Sequence, residues 1–417
     1  MQTILQLFTI IFLIIIIRTF LKFARNNQSL LPTLAEFTIQ ITISLIFYNT
    51  FGLVEDEITY HNSAIKLMSS LDNGLGFQNF GVAPGKESFT YILGTSYFLF
   101  EPNPIIGLLF NAILMSIIPT IMVIICKNFG LFKVSQIVAW LVVFSPPLAF
   151  WGSGLRRESL AFLLVSLSLL TISMVYKNKY LWAVFFFVPT TLIIQMTRPQ
   201  LLYMLFPGLA TVLVLKFIKI RKKLFRQFII KKENIIILFF LVFTHLPFLV
   251  SIYKSFRENG YSKYDGYLQE IANPKFETSI NGVSWSFNSS PIGYVYNIFR
   301  ASSGPPFWEW STNSMVIFGL EGLVYLAIWI ITLKLLFTRN HEYRRQFLVL
   351  IACCIPMILA SALIIGNYGI NSRVRAHYFI PIIPILSIYI FEMKSKLKTK
   401  NRRPGLIDYR RINERTK

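Results

Sequence analysis

Glu55, Asp56 and Glu57 stand in a row directly after a long apolar run. Consecutive carboxylates at the exit of an apolar segment repel one another and resist desolvation, so stability alone gives little reason to cluster them. A carboxylate held at the edge of a bilayer can take a proton from an attacking group as a general base, and a neighbouring acid can orient it or raise its pKa through like charge. Asp56 is the candidate for that base, with Glu57 or Glu55 assisting. Cations gather on the same side of the chain: Lys86, Arg156, Arg157, Arg198, Arg373 and Arg375, most of them at the ends of apolar runs. Such groups neutralise negative charge that develops in a reaction. His377 follows the last pair, and Glu321 lies inside an apolar run, where an acid is a functional suspect by default.

Each of these residues has a plainer alternative. Asp56 and Glu57 suit the N-terminus of a helix electrostatically. Lys86, Arg156 and Arg157 can serve by touching lipid headgroups, and Glu321 by an interhelical hydrogen bond. Arg198 is harder to explain away, because Thr197-Arg198-Pro199-Gln200 separates two apolar runs with almost no loop.

The elements that must position these groups are membrane spans. Of 417 residues, 54% are hydrophobic and only 14% charged, with a mean hydropathy of +0.56. Soluble domains carry about 25% charged residues, so a soluble enzyme with one apolar tail and a disordered chain are both excluded. The apolar runs predict an all-α polytopic membrane protein of about eleven spans. They lie at 3–22, 34–53, 103–125, 134–152, 159–176, 180–197, 200–218, 235–252, 313–337, 346–366 and 377–392. The first run has no preceding Lys or Arg and no small-residue cleavage site, and is kept as a span.

The net charge is +22, from 41 Lys+Arg against 19 Asp+Glu. Sorted by alternating loop, 29 basic residues fall on one side and 12 on the other. The positive-inside rule makes the side with more of them cytoplasmic, with the N-terminus outside and the C-terminus inside. That sorting turns the basic excess into a topological feature and removes nucleic acid as a partner. Of the acids, 12 lie on the outer side. The chain divides into a transmembrane module over 1–252 with its first outer loop at 54–102, an aromatic outer loop at 253–312, C-terminal spans over 313–392 and a basic tail at 393–417.

In the first outer loop, Tyr60, Ala64, Leu67, Met68 and Leu71 repeat at helical spacing. The pattern predicts an amphipathic surface helix with Asp56 at its N-terminus. Asp72-Asn73-Gly74 supplies turn chemistry to end it. A second surface helix is predicted from Ser88 to Phe100, carrying Phe89, Ile92, Leu93 and Tyr97 and stopped by Pro102. The second outer loop holds Tyr261, Tyr264, Tyr267, Trp285, Tyr294, Tyr296, Phe307, Trp308 and Trp310. Such rings stack on sugars or settle in the interfacial belt. Cys126, Cys353 and Cys354 lie in apolar runs and read as small buried hydrophobes. No GxxxxGK[ST] loop, HExxH or paired CxxC occurs, which argues against direct ATP coupling and a structural zinc site.

The stretch Asp56-Glu57-x-x-Tyr60-x-x-x-Ala64-x-x-x-Met68-x-Ser70-x-Asp72, then Gly85-Lys86 and the Tyr91 to Phe100 helix, resembles the first outer loop of GT-C glycosyltransferases. The branch it looks most like holds the aminoarabinose–lipid A transferases and protein O-mannosyltransferases. Lys86 follows Asp56 at the interval usual in that family, with Glu87-Ser88 where the family commonly has two prolines. The likeness continues less specifically through Pro102-Asn103-Pro104, Lys127-Asn128-Phe129-Gly130, Ser145-Pro146, Arg157-Glu158-Ser159 and Arg198-Pro199-Gln200, over roughly residues 30–215.

The resemblance implies a polyprenyl-phosphate sugar donor and an acceptor (glycan, lipid or protein) that attacks on the outer face of a bacterial inner membrane, with inversion at the sugar carbon. Asp56 and Glu57 would be catalytic. Lys86, Arg198, Arg373 and Arg375 would bind the donor phosphate, and Glu55, Tyr60, His377, Arg157 and Glu321 would contact substrate. A divalent cation, Mg or Mn, would be held by Asp56, Glu57 and phosphate oxygens if one is used. Two other functions fit a helical bundle with outer arginines: a polysaccharide polymerase or ligase, and a lipid-linked sugar flippase. A transporter is expected to bury charges near mid-membrane in repeated, broken helices.

Overall fold

The computed structural model describes residues 2–74, 87–224, 291–337, 343–364 and 368–401, and among them it is helical with no strand. Two helices open the chain, α1 (Gln2–Asn26) and α2 (Leu30–Phe51). The chain then turns through Gly52 into α3 (Glu55–Asp72). The φ of Gly52 is 68°, a left-handed value that favours glycine. After α4 (Glu87–Leu99) come α5 (Pro104–Phe129), α6 (Ser135–Val143), α7 (Pro146–Gly152), α8 (Glu158–Tyr176), α9 (Tyr180–Thr197) and α10 (Leu202–Leu224). The C-terminal part holds α11 (Pro291–Ser303), α12 (Asn313–Phe337), α13 (Arg344–Ile364) and α14 (Tyr368–Asn401).

Nine described helices are long and apolar enough to cross a bilayer, ten with the bent pair α6–α7. The chain is therefore a polytopic helical membrane protein. The span expected at 235–252, Lys86, most of the aromatic loop from Tyr261 to Trp285, and the tail beyond 401 lie outside the described residues.

Two expectations need correction. The single span at 134–152 is broken: α6 and α7 meet at 49° around Phe144-Ser145. Pro146 and Pro147 lack backbone N–H groups, and a residue before proline is pushed to an extended conformation, as Ser145 is. The outer turn expected at 367–376 is helical from Tyr368, so the span at 377–392 sits within a longer helix. No proline interrupts 368–380, and the polar side chains of that stretch find partners on other helices.

The core lies along α5 and α8, which are buried over most of their length. The helices α3 and α4 pack on each other: Tyr60, Ala64 and Leu67 are buried against Phe89, Leu93 and Tyr97. Tyr60 and Phe89 meet edge to face with centroids 5.2 Å apart, and His61 Nδ1 lies 2.8 Å from the Tyr97 hydroxyl. The two helices thus form one unit that fixes the start of α3.

Charge is sorted to two ends of the bundle. At one end Lys127 Nζ donates to Asn27 Oδ1 at 3.0 Å and Lys216 Nζ to Asn178 Oδ1 at 2.7 Å. The opposite end holds Asp56, Glu57, Arg156, Arg157, Glu158, Arg198 and Arg373.

Candidate active site

The site begins with how α3 starts. Glu57 stands in its first turn and reaches back, its Oε2 accepting from the Val54 N–H at 3.3 Å. This satisfies one of the donors that a helix start leaves free. Its Oε1 lies 3.0 Å from Arg156 Nε. Gly154 makes room for this contact, since a Cβ there would clash with Glu57 Oε1. Glu57 is buried and committed to holding the helix entry and Arg156.

Asp56, one residue earlier, points the other way. Its side chain is 45% exposed, and Oδ2 accepts from Arg373 Nη1 at 2.9 Å. Arg373 reaches it from α14, and the same Nη1 lies 3.8 Å from Glu158 Oε1. Glu158 opens α8 and is buried, paired with Arg198 Nη2 at 2.5 Å. Burial draws the Arg198 guanidinium down to about 10, with the Glu158 carboxylate opposing and Arg157 and Arg373 adding to the fall, because burial and like charge both disfavour the charged form. Arg157 Nη1 donates to the Thr197 carbonyl at 2.9 Å, a terminal carbonyl of α9 where a cation is favoured. The Thr197 hydroxyl meets Ser88 Oγ, which ties α4 to α9. Burial also pushes the Tyr60 hydroxyl up to about 12 and lowers His61 below its ordinary value.

Trp151 on α7 lies beneath two of these cations. The Arg373 guanidinium sits 4.8 Å from its ring centroid and that of Arg156 lies 5.6 Å away. Both are cation–π distances. Trp151 Nε1 donates to Ser372 Oγ at 3.1 Å, and Ser372 Oγ donates to Glu321 Oε2 at 2.7 Å. An indole N–H only donates, so the direction of this relay is fixed toward Glu321.

Three carboxylates, Asp56, Glu57 and Glu158, therefore meet four guanidinium groups, Arg156, Arg157, Arg198 and Arg373. The cluster is net positive, and Arg198 Nε and Arg373 Nε are buried without a hydrogen-bond partner among the described residues. Such a set has the charge and the donors to hold an anion, with one exposed carboxylate beside it. Next to the cluster is a cavity of about 180 Å³ lined by Ser44, Phe51, Glu57, Phe150 and Arg156 among others. Its apolar rim includes the exposed rings of Phe47, Phe51 and Phe150.

The remaining expected site residues fall into four groups. Tyr60 and Arg157 lie in or against the cluster, and His377 stands one turn along α14 from Arg373. His377 is buried, its Nδ1 donating to the Arg373 carbonyl at 2.7 Å and its ring 4.9 Å from Phe162. Arg375 faces elsewhere: fully buried, it donates to the carbonyls of Arg300 and Ala301 at 3.1 Å each and to that of Gly304. Glu321 touches the cluster only through Ser372 and Trp151. Glu55 is the first residue of α3, but its side chain, like Lys86, is outside the described set.

Glu158, Trp151 and Ser372 have no assigned role at the sequence level. The charged triplet Arg156-Arg157-Glu158 between two apolar runs was the available signal for the first. Nothing in the sequence pairs Trp151 with Ser372.

Asp56 and Glu57 are each turned to an arginine, and no group of three His, Cys, Asp or Glu side chains among the described residues could hold a metal ion. No family model matches the chain, and neither a curated protein nor a solved structure shows significant similarity to it.

Proposed function

We propose that the chain is a membrane glycosyltransferase of the GT-C type that moves a sugar from a polyprenyl-phosphate donor to an acceptor on the outer face of the membrane. One observation carries this: Asp56 is the exposed carboxylate of a half-buried, net-positive arginine cluster in the first turn of α3. The isoprenoid tail stays in the bilayer and the phosphate lies at the interface, at the depth of Arg373 and Arg198. The apolar-rimmed cavity beside Glu57 and Arg156 suits the first isoprenoid units.

In the reaction the donor phosphate competes for Arg373 and releases Asp56 from its ion pair. Asp56 takes the acceptor's proton, the acceptor oxygen or nitrogen bonds to the sugar carbon, and the carbon–oxygen bond to phosphate breaks. The leaving phosphate takes the electron pair, and Arg373 and Arg198 neutralise it. Direct attack inverts the sugar carbon. Under this proposal the Asp56 end faces outward, in keeping with the distribution of basic residues.

The test is transfer of labelled sugar from a synthetic polyprenyl-phosphate donor by purified protein in lipid. Wild type transfers; Asp56→Asn abolishes transfer while keeping donor binding; Arg373→Ala and Lys86→Ala weaken donor binding. Wild-type transfer in a folded Asp56→Asn protein would overturn the assignment. A second reading, a lipid-linked sugar transporter, draws on Glu36 and Glu321, acids located within helices long enough to span. Donor flipping without covalent transfer would favour it.

A further inference from the structure

The helix α2 is built inside out. Leu31, Leu34, Ile46 and Phe47 are exposed, beside the small polar Thr38 and Thr42, while Ser29 at its N-cap and Thr33, Glu36, Gln40 and Ser44 are buried. Their spacing of four, three, four and four positions makes one stripe along the helix. At one end Ser29 and Thr33 share the Thr120 hydroxyl of α5, at 2.8 and 2.9 Å. At the other, Ser44 Oγ donates to the Ser153 carbonyl at 2.6 Å. Between them Gln40 Nε2 donates to Glu36 Oε1 at 2.8 Å.

Glu36 is 1% exposed and Gln40 0%. Two oxygens of this pair, Glu36 Oε2 and Gln40 Oε1, have no hydrogen-bond partner among the described residues. Both are acceptors unless a proton is added. No described cation pairs with Glu36. The only charged residue of α5 is Lys127, which is engaged with Asn27 at the helix end, and α6 and α7 carry no charge. On α1, Arg18, Lys22 and Arg25 are exposed, and the only other titratable group of α2 is Tyr48. An isolated carboxylate in such surroundings is far less stable than its neutral acid. A cation would need several oxygen ligands, whereas one proton supplies the donor that the two orphaned oxygens lack and removes the charge.

We propose that Glu36 and Gln40 form an intramembrane proton-binding site, in which Glu36 is a neutral carboxylic acid paired with the Gln40 amide in the seam between α2 and α5. The site lies on the helix that runs through Gly52 into α3 and Asp56. Loss of the proton places an unpaired carboxylate in that seam and loosens the helix that seats α3. The assignment is independent of the transfer reaction.

Infrared spectroscopy of the full chain in lipid tests it directly. At neutral pH the difference spectrum of wild type against Glu36→Gln is expected to show the carbonyl band of one protonated acid, shifted in heavy water. Gln40→Leu, which keeps the acid and removes its amide partner, moves that band to higher frequency; should either variant fail to fold, Glu-specific carbon-13 labelling of the other gives the same comparison. A carboxylate band at neutral pH in place of the acid band would overturn the proposal. So would conversion to carboxylate on adding sodium at constant pH, which would make this a cation site. A band unmoved in Gln40→Leu would overturn the pairing.

Discussion

Arg373 and Arg375 are close neighbours on α14 and do opposite work. Arg373 is 22% exposed, shares its charge between Asp56 and Glu158, and rests on the Trp151 ring. Arg375 is wholly buried and turns its donors to the last carbonyls of α11, where Asn371 Nδ2 and the Tyr378 hydroxyl also converge on Ala301. A cation at a helix C-terminus offsets the local dipole and satisfies carbonyls that the helix cannot. One side of α14 therefore faces a site with surplus positive charge, and the other holds the fold together. The residue type is the same on both sides. The partner differs: partly exposed or shared carboxylates on one, which the proposed donor phosphate would displace, and buried backbone carbonyls on the other.

The largest effect expected on the site side is Asp56→Asn, which removes the proposed base and keeps the shape. Transfer should fall by about 10²–10⁴-fold, the range of a general base, with melting unchanged. Arg373→Ala should lower transfer about 10²-fold, as for loss of one group stabilising developing charge. It should shift stability by no more than about 1 kcal/mol, since a partly exposed ion pair contributes little. Arg375→Met reverses the pattern. It strands carbonyls inside the protein, so stability should drop by about 3 kcal/mol, read as a fall in melting temperature in detergent, with the surviving folded fraction still active. If Arg375→Met and Arg373→Ala lose activity and stability in parallel, the division between the two sides of α14 fails.

Much of this was legible in the sequence, and the part that was not has physical causes. The helix with Asp56 in its first turn follows from apolar spacing, because a helix packed along one side must show one apolar face. The convergence of Asp56, Arg157, Arg198 and Arg373 at one end follows from counting spans. Which arginine would meet which carboxylate did not, because the pairing depends on helix rotation, and rotation is set by packing rather than by periodicity. Glu57 was expected to assist in chemistry; the structure has it gripping Val54 N–H and Arg156. The sequence groups Arg375 with Arg373 because 367–376 lies between two apolar runs and reads as a turn, and a turn presents both. Glu36 leaves no signal in the sequence, because a single acid in a long apolar run does not interrupt a span.

Smaller changes sharpen the same comparison. Gly154→Ala pushes a methyl group against Glu57 Oε1. A clash of this kind costs about 1–3 kcal/mol unless Glu57 moves, and if it moves, the start of α3 shifts with Asp56. Transfer should fall more than stability does. Glu321→Gln keeps an acceptor for Ser372 and should leave transfer near wild type, whereas Glu321→Leu frees Ser372 and Trp151. An effect of about tenfold, or about 1.4 kcal/mol, is expected for the leucine variant. Equal activity in both would mean that the Trp151 relay does nothing for Arg373.

The smallest effect lies on the structural side and is read by pH. Glu309 accepts from Arg300 Nε at 2.9 Å, from the Tyr296 hydroxyl at 2.7 Å and from the Tyr368 hydroxyl. Burial alone would raise its carboxyl, but the hydrogen bonds from Arg300, Tyr368 and Tyr296 outweigh burial and hold it below its ordinary value of 4.5, as donors to the charged form do. A carboxyl depressed in the folded state releases its proton more readily there than in the unfolded chain. Its contribution to stability is therefore complete above 4.5 and disappears as pH falls below that value through the folded-state titration. Wild type should lose melting temperature over that acid range by a component that Glu309→Gln lacks, and the two curves should run parallel from pH 4.5 to neutrality. Transfer measured at neutral pH should be the same in both proteins. Activity that tracks the Glu309 titration would place this network with the site after all, and the two sides of α14 would have to be treated as one.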